Sequence, residues 1–168
     1  PSTALCGTPS GSSYLLYISS YSGFSIGSYT NYSYSYTATA NSAQLLFIIN
    51  PAPSNQLYID NVSVKDSSGT QLLVNNDFSS SITTGWSVFC TCSGGGGGYQ
   101  ASVGCYGGTG TCYYDDCSGS WHYLAQSIGT VVSAVYTIGF SLAIDPVGST
   151  KYGMGSSSQG ALIYVKMN

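Results

Sequence analysis

The sequence predicts an all-β fold, a jelly-roll-like β-sandwich, from three observations. Strong exposed helix formers are nearly missing: three lysines and six aspartates are the only charged side chains among 168 residues, while Gly, Ser, Thr and Tyr abound. Apolar and polar residues alternate with a period of two, most cleanly over 29–40, where Tyr32, Tyr34 and Tyr36 share one face and Ser33, Ser35 and Thr37 the other. About ten such short segments are separated by turn signals, the pattern of a sandwich or jelly roll.

Taken in order, a Pro/Ser/Gly lead-in over 1–13 precedes a strand at Tyr14–Ile18, then the tyrosine-alternating segment. Leu45–Ile49 is a fully apolar strand stopped by Asn50-Pro51 and Pro53. Tyr58–Val64 is a further strand, with Tyr58, Asp60, Val62 and Val64 expected on one face. A polar turn at Lys65–Gln71 carries Ser67-Ser68-Gly69, and Leu72–Val74 reads as a short strand. After a Ser/Thr loop, Trp86–Phe89 is a strand and Gly94–Gly98 a flexible loop. Val103–Tyr114 reads as loop and short strand under disulfide control. Tyr123–Ile128, Ala134–Ile144 and Ala161–Met167 complete the set, the last after a second Gly/Ser-rich stretch at 149–160.

The length fits one domain able to bury a real core, and an apolar content of 43% excludes simple disorder. A net charge of −3 with scattered lysines excludes a phosphate-tracking surface, so nucleic acid is not an expected partner. The longest apolar run, Leu45–Ile49, is far too short for a membrane span. The start without Met or a signal-like apolar region is that expected of a processed or trimmed chain. Soluble domains usually carry about 25–35% charged residues on their surface. With 5% overall, solubility here must come from hydroxyls, from attached glycans or from burial in an assembly.

Six cysteines, Cys6, Cys90, Cys92, Cys105, Cys112 and Cys117, read as three disulfides in an extracellular, secreted or cell-surface protein. Spacing leaves the pairing open, although remote Cys6 is expected to tie the N-terminal segment to the Cys-rich loops or to a neighbouring subunit. Zinc is the rival for Cys90-Thr-Cys92 and Cys112-x4-Cys117, but neither has the usual knuckle spacing.

Catalytic chemistry is not expected. His122, the single histidine, stands between Trp121 and Tyr123 and reads as a structural residue, packed or exposed. Asp115-Asp116, inside Cys112–Cys117, reads as the solvated acidic tip of a tight loop, with calcium binding or a carboxylate pair as the competing reading. The glycine run lacks the lysine and following helix of a phosphate loop. Two sequons, Asn31-Tyr32-Ser33 and Asn61-Val62-Ser63, offer N-glycan acceptors, with Asn31 the better placed, and the Ser/Thr-rich segments at 78–84 and 149–158 permit O-glycans. The face of Tyr32, Tyr34 and Tyr36, with Trp121, could contact a sugar or a neighbouring subunit; for the tyrosines the alternative is one face of the core.

Leu72-Leu73-Val74-Asn75-Asn76-Asp77-Phe78 followed by Thr84-Gly85-Trp86 resembles the opening "L-V-N-G-D-F-E … G-W" motif of galactose-binding-like jelly rolls, which are similar to carbohydrate-binding modules of extracellular surface proteins. Tyr58-Ile59-Asp60-Asn61-Val62-Ser63-Val64 resembles their closing strand, and Tyr136–Leu142 a central core strand. Asn76 stands where the family has Gly and Ser79 where it has Glu, which weakens the calcium site that the resemblance would imply near Asp77. The closing motif precedes the opening one. The resemblance therefore implies a single unit in which 1–65 is second-half-like, 66–71 a linker or turn, and 72–168 first-half-like. Such a domain is circularly permuted, or completed by strands from a neighbouring subunit.

Two functions follow as expectations. One is a secreted structural glycoprotein whose copies polymerise into an extracellular fibre by strand complementation, its partners being copies of itself and its glycans. The other is a carbohydrate-binding module or lectin-like adhesion domain. No cofactor is expected beyond glycans and, at most, calcium at Asp77, Asp115 or Asp116.

Overall fold

The computed structural model describes residues 6, 7, 9, 13–18, 26–90, 92, 98–150 and 160–168. The glycine run at 94–97, nearly all of the Gly/Ser-rich stretch at 151–159 and most of the lead-in lie outside the described residues. The chain is a β-sandwich of two antiparallel sheets. In chain order its strands are β1 (Leu16–Ile18), β2 (Thr30–Thr37), β3 (Ser42–Pro51), β4 (Leu57–Lys65), β5 (Ser87–Phe89), β6 (Tyr99–Ala101), β7 (Cys112–Asp115), β8 (His122–Gly129), β9 (Val135–Ile144) and β10 (Ala161–Met167). Sheet A runs β1-β10-β3-β8-β5 and sheet B runs β2-β9-β4-β7-β6. In each sheet the first four strands alternate between those from before residue 66 and those from after residue 71, and the fifth, β5 or β6, pairs with a strand of its own segment, so the two segments interleave.

The period-two pattern decides which side chains meet between the sheets. Leu45, Phe47 and Ile49 of β3 and Ile138, Phe140 and Leu142 of β9 form the centre of the core, with Leu124, Ile163 and Val165. Each such side chain, taken fully from water, contributes about 1.5–3 kcal/mol. Phe47 meets Phe140 edge to face, with ring centroids 5.2 Å apart. On β9, Tyr136, Ile138, Phe140 and Leu142 are buried while Val135 and Thr137 are exposed, the division that the alternation predicts.

Three local expectations need correction. Leu72–Val74 is not a strand: only Gln71 makes a bridge, to Lys65, and the Gln71 side-chain oxygen accepts from the amides of Val64, Leu72 and Leu73 instead. Tyr58, Asp60, Val62 and Val64 do not share a face. A bulge between Asp60 and Ser63, with Asn61 at φ 51°, shifts the register, so Val62 and Val64 enter the central core while Tyr58 packs outside sheet B on Ala101, Cys105, Cys112 and Ala143. The extra residue reverses the alternation, which a strict period of two cannot anticipate. Asp115, finally, is not a solvated loop tip but 0% exposed, because it closes β7 and faces inward.

The disulfides are Cys6–Cys90, Cys92–Cys117 and Cys105–Cys112, all within the chain. The first fastens the N-terminal segment to the end of β5. No helix among the described residues is long and apolar enough to cross a membrane.

Candidate functional site

On the outside of sheet B a polar cleft of about 230 Å³ opens between the β4 bulge, the loop 76–79 and the loop 106–111, lined by Asp60, Asn61, Asn76, Asp77, Tyr106 and Thr111 among others. The bulge makes it: it turns Asn61 outward and leaves Asp60 buried beside it. Asp60 accepts from the Asn61 amide at 2.6 Å and, through its other oxygen, from the Tyr106 amide at 2.8 Å. Burial pushes its carboxyl above the usual range and the charge of Asp77 adds to this, while the two amides pull the other way. Asp77 lies lower than usual, because the Ser79 hydroxyl, at 2.9 Å, and the Ser79 amide both donate to it. Asn76 spans to the Val62 carbonyl at 3.1 Å, and Thr111 donates to the Asp77 carbonyl at 3.2 Å. The segments that resemble the closing and opening motifs therefore line one cleft.

Both sequon asparagines belong to the same surface. The Ser141 hydroxyl donates to Asn31 Oδ1 at 2.7 Å, and Asn61 Nδ2 lies 3.5 Å from that hydroxyl. Asn31 in turn donates to the Tyr106 hydroxyl at 3.2 Å. Asn31 and Asn61 are both exposed, so the sites expected to carry glycans stand side by side across β2, β9 and β4, next to the cleft.

The remaining expected residues lie elsewhere. Tyr32, Tyr34 and Tyr36 are half-buried against the central core, and Tyr32 and Tyr34 stack on Phe140 at 5.4 and 6.0 Å. Trp121 packs outside sheet A, edge-on to Tyr164 at 5.3 Å, in a group with Tyr14, Tyr17 and Phe89. The rings of Tyr17, Tyr14 and Trp121 meet Tyr164 at 52°, 65° and 71°, while Tyr14 and Tyr17 stack on each other at 20°.

Calcium takes six to eight oxygens. Asp115 does not fit it, since one oxygen faces His122 and Tyr113 and the other accepts from the Cys117 amide. Asp77 faces the cleft, with Asp60, Asn61, Asn76 and the loop hydroxyls around it, and is the better placed of the expected calcium ligands. Sequence reasoning missed Asp60 and Tyr106 as cleft residues. The available signal was an aspartate amid the apolar residues of a strand, where a charge needs a local reason.

Comparison with family models, with curated proteins and with solved structures gave no match. The functional reading therefore rests on the geometry.

Proposed function

We propose that this chain is a secreted structural glycoprotein subunit that self-assembles into an extracellular fibre by adding strands between copies. The observation that carries the reading is the edge of β2, which no other strand pairs among the described residues. All eight of its residues pair in continuous register with β9 on one side, and sheet B ends at β2 on the other. Sheet edges are ordinarily blunted by charge, proline, a bulge or extreme shortness. Thr30–Thr37 has none of these, whereas the other three edge strands, β1, β5 and β6, have three residues each. The scarcity of charge over the whole surface agrees, as does the interleaving of the two segments, which could be exchanged between copies. The three disulfides fit an oxidising compartment.

The test is electron microscopy of native material, followed by a Ser33→Lys/Ser35→Lys variant. Both serines are exposed on β2, so the variant should keep its circular dichroism and lose assembly. A chain that stays monomeric at high concentration with intact disulfides, or a variant that assembles unchanged, overturns the reading.

The cleft favours a second reading, binding of a carbohydrate. Carboxylates, amides and hydroxyls converge there as partners for sugar hydroxyls, with the ring of Tyr106 beside them. A glycan array with a hit that is lost in Asn76→Ala supports it, and an array without a hit removes it.

A further inference from the structure

His122 is fully buried on the inner face of β8, which it shares with Leu124, opposite the inward-facing Tyr113 and Asp115 of β7. Its Nδ1 lies 2.6 Å from Asp115 Oδ2. That carboxylate also accepts from the Tyr113 hydroxyl at 3.3 Å and the Cys117 amide at 2.9 Å, so it is held from three directions. In the neutral ring a carboxylate at Nδ1 selects the tautomer with the proton on that nitrogen, and Nε2 then carries the lone pair. Nε2 is buried and has no hydrogen-bond partner among the described residues. A buried nitrogen with nothing to accept is costly, and a fold that keeps one calls for an explanation.

The neighbours suggest one. A ring nitrogen of His122 and the sulfurs of Cys92 and Cys117 all lie within 4.8 Å of one another. As a disulfide the two sulfurs offer no thiolate. A dithiol reductant changes this. Its thiolate attacks one sulfur, the Cys92–Cys117 bond breaks, and the second thiol of the reductant then closes its own disulfide, leaving two protonated cysteines. Two electrons and two protons pass from reductant to protein. The product is a Cys2His donor set whose histidine is already oriented by a carboxylate through its other nitrogen, an arrangement typical of zinc.

We propose that Cys92, Cys117 and His122 form a redox-gated site for a thiophilic divalent cation such as zinc, closed by the disulfide and opened by a dithiol. On binding, the cation takes both sulfurs as thiolates and releases two protons. Asp115 is a positioning residue that holds the ring through Nδ1 and turns Nε2 toward the two sulfurs. Cys92 is half-exposed, which gives reductant and cation a route in, whereas Cys117 and His122 are buried. The other converging trio, Asp60 with Cys105 and Cys112, lacks this feature, because both oxygens of Asp60 already accept main-chain amides.

The test uses the full chain with Cys105→Ser/Cys112→Ser, so that the second trio cannot contribute. The protein is treated with dithiothreitol, freed of it under anaerobic conditions and titrated with Co²⁺. The expected result is a tetrahedral thiolate–cobalt absorption at one equivalent, displaced by Zn²⁺, with Cys92 and Cys117 protected from alkylation. His122→Asn should weaken the binding at least tenfold, and Asp115→Asn about 10–100-fold, the usual range for such an outer partner. A reduced protein that keeps its β-sheet circular dichroism but shows no such absorption overturns the proposal. So does absorption that persists undiminished in His122→Asn, or loss of the fold on reduction that Zn²⁺ does not restore.

Discussion

The side-chain amide of Gln126 holds both main-chain groups of Val74: the Val74 amide donates to Oε1 at 2.6 Å, and Nε2 donates to the Val74 carbonyl at 2.9 Å. A buried glutamine on β8 thus supplies to Val74 the pairing that a neighbouring strand would have given. Gln126→Met keeps the volume and leaves two main-chain groups without their partner, at a cost of about 1–3 kcal/mol. A urea midpoint within error of the parent would show that water replaces the amide at no loss.

Gly85 precedes Trp86, which stacks on Phe78 at 5.3 Å and donates from Nε1 to the Asn75 carbonyl at 2.9 Å. At Gly85, with φ +82°, an added Cβ would stand 3.0 Å from Val74 Cβ and 3.0 Å from its carbonyl oxygen. Gly107 has φ +72° with nothing within 4 Å of such a Cβ. Gly107→Ala should therefore cost about 1 kcal/mol, for the left-handed backbone alone, and Gly85→Ala about 2–3 kcal/mol. Equal melting temperatures for the two variants would remove the close-approach argument.

Cys6–Cys90 joins residues 84 apart and Cys105–Cys112 residues 7 apart. If each bond acts by restricting the unfolded chain, replacing the first pair by serine costs about 2 kcal/mol more than replacing the second. Chemical denaturation of the two double-serine variants measures the difference. A reversed order would place the dominant effect in the folded state.

Burial, with the charges of Tyr114, Asp145 and Asp116 after it, pushes the Tyr58 hydroxyl up to about 12. The fold therefore favours the neutral phenol. Its contribution is complete below the unfolded value of about 10 and is lost as the pH rises through about 12. Stability should fall across that window, and Tyr58→Phe should make the fall shallower in urea titrations followed by circular dichroism. An unchanged slope in the variant would assign the alkaline loss to other tyrosines.

Much of the fold is legible in the sequence because strand faces are a local property. The Tyr/Ser alternation gives β2 and its inward tyrosines, and the run Leu45–Ile49 lies within β3, whose far face is covered by the cluster of Leu46, Ile48 and Tyr164. The candidate site is less legible. Asn61 was visible as a sequon asparagine, but only the bulge shows that it stands beside a buried Asp60 and reaches Ser141 of β9. Asp115 looked like a loop carboxylate because its local neighbours are polar and its histidine lies on the other sheet.

What the sequence by itself determined is the class of structure: strands, turns, an oxidised cysteine set and a surface almost without charge, all consequences of composition and a two-residue period. What only the tertiary structure decided is which of these features meet. The pairing of six cysteines, the Asp115–His122 contact and the place of β2 at the edge of sheet B among the described residues all depend on how two sheets stack and where each ends. Contacts between residues distant in sequence are fixed by burying a shared core, and no local pattern encodes them.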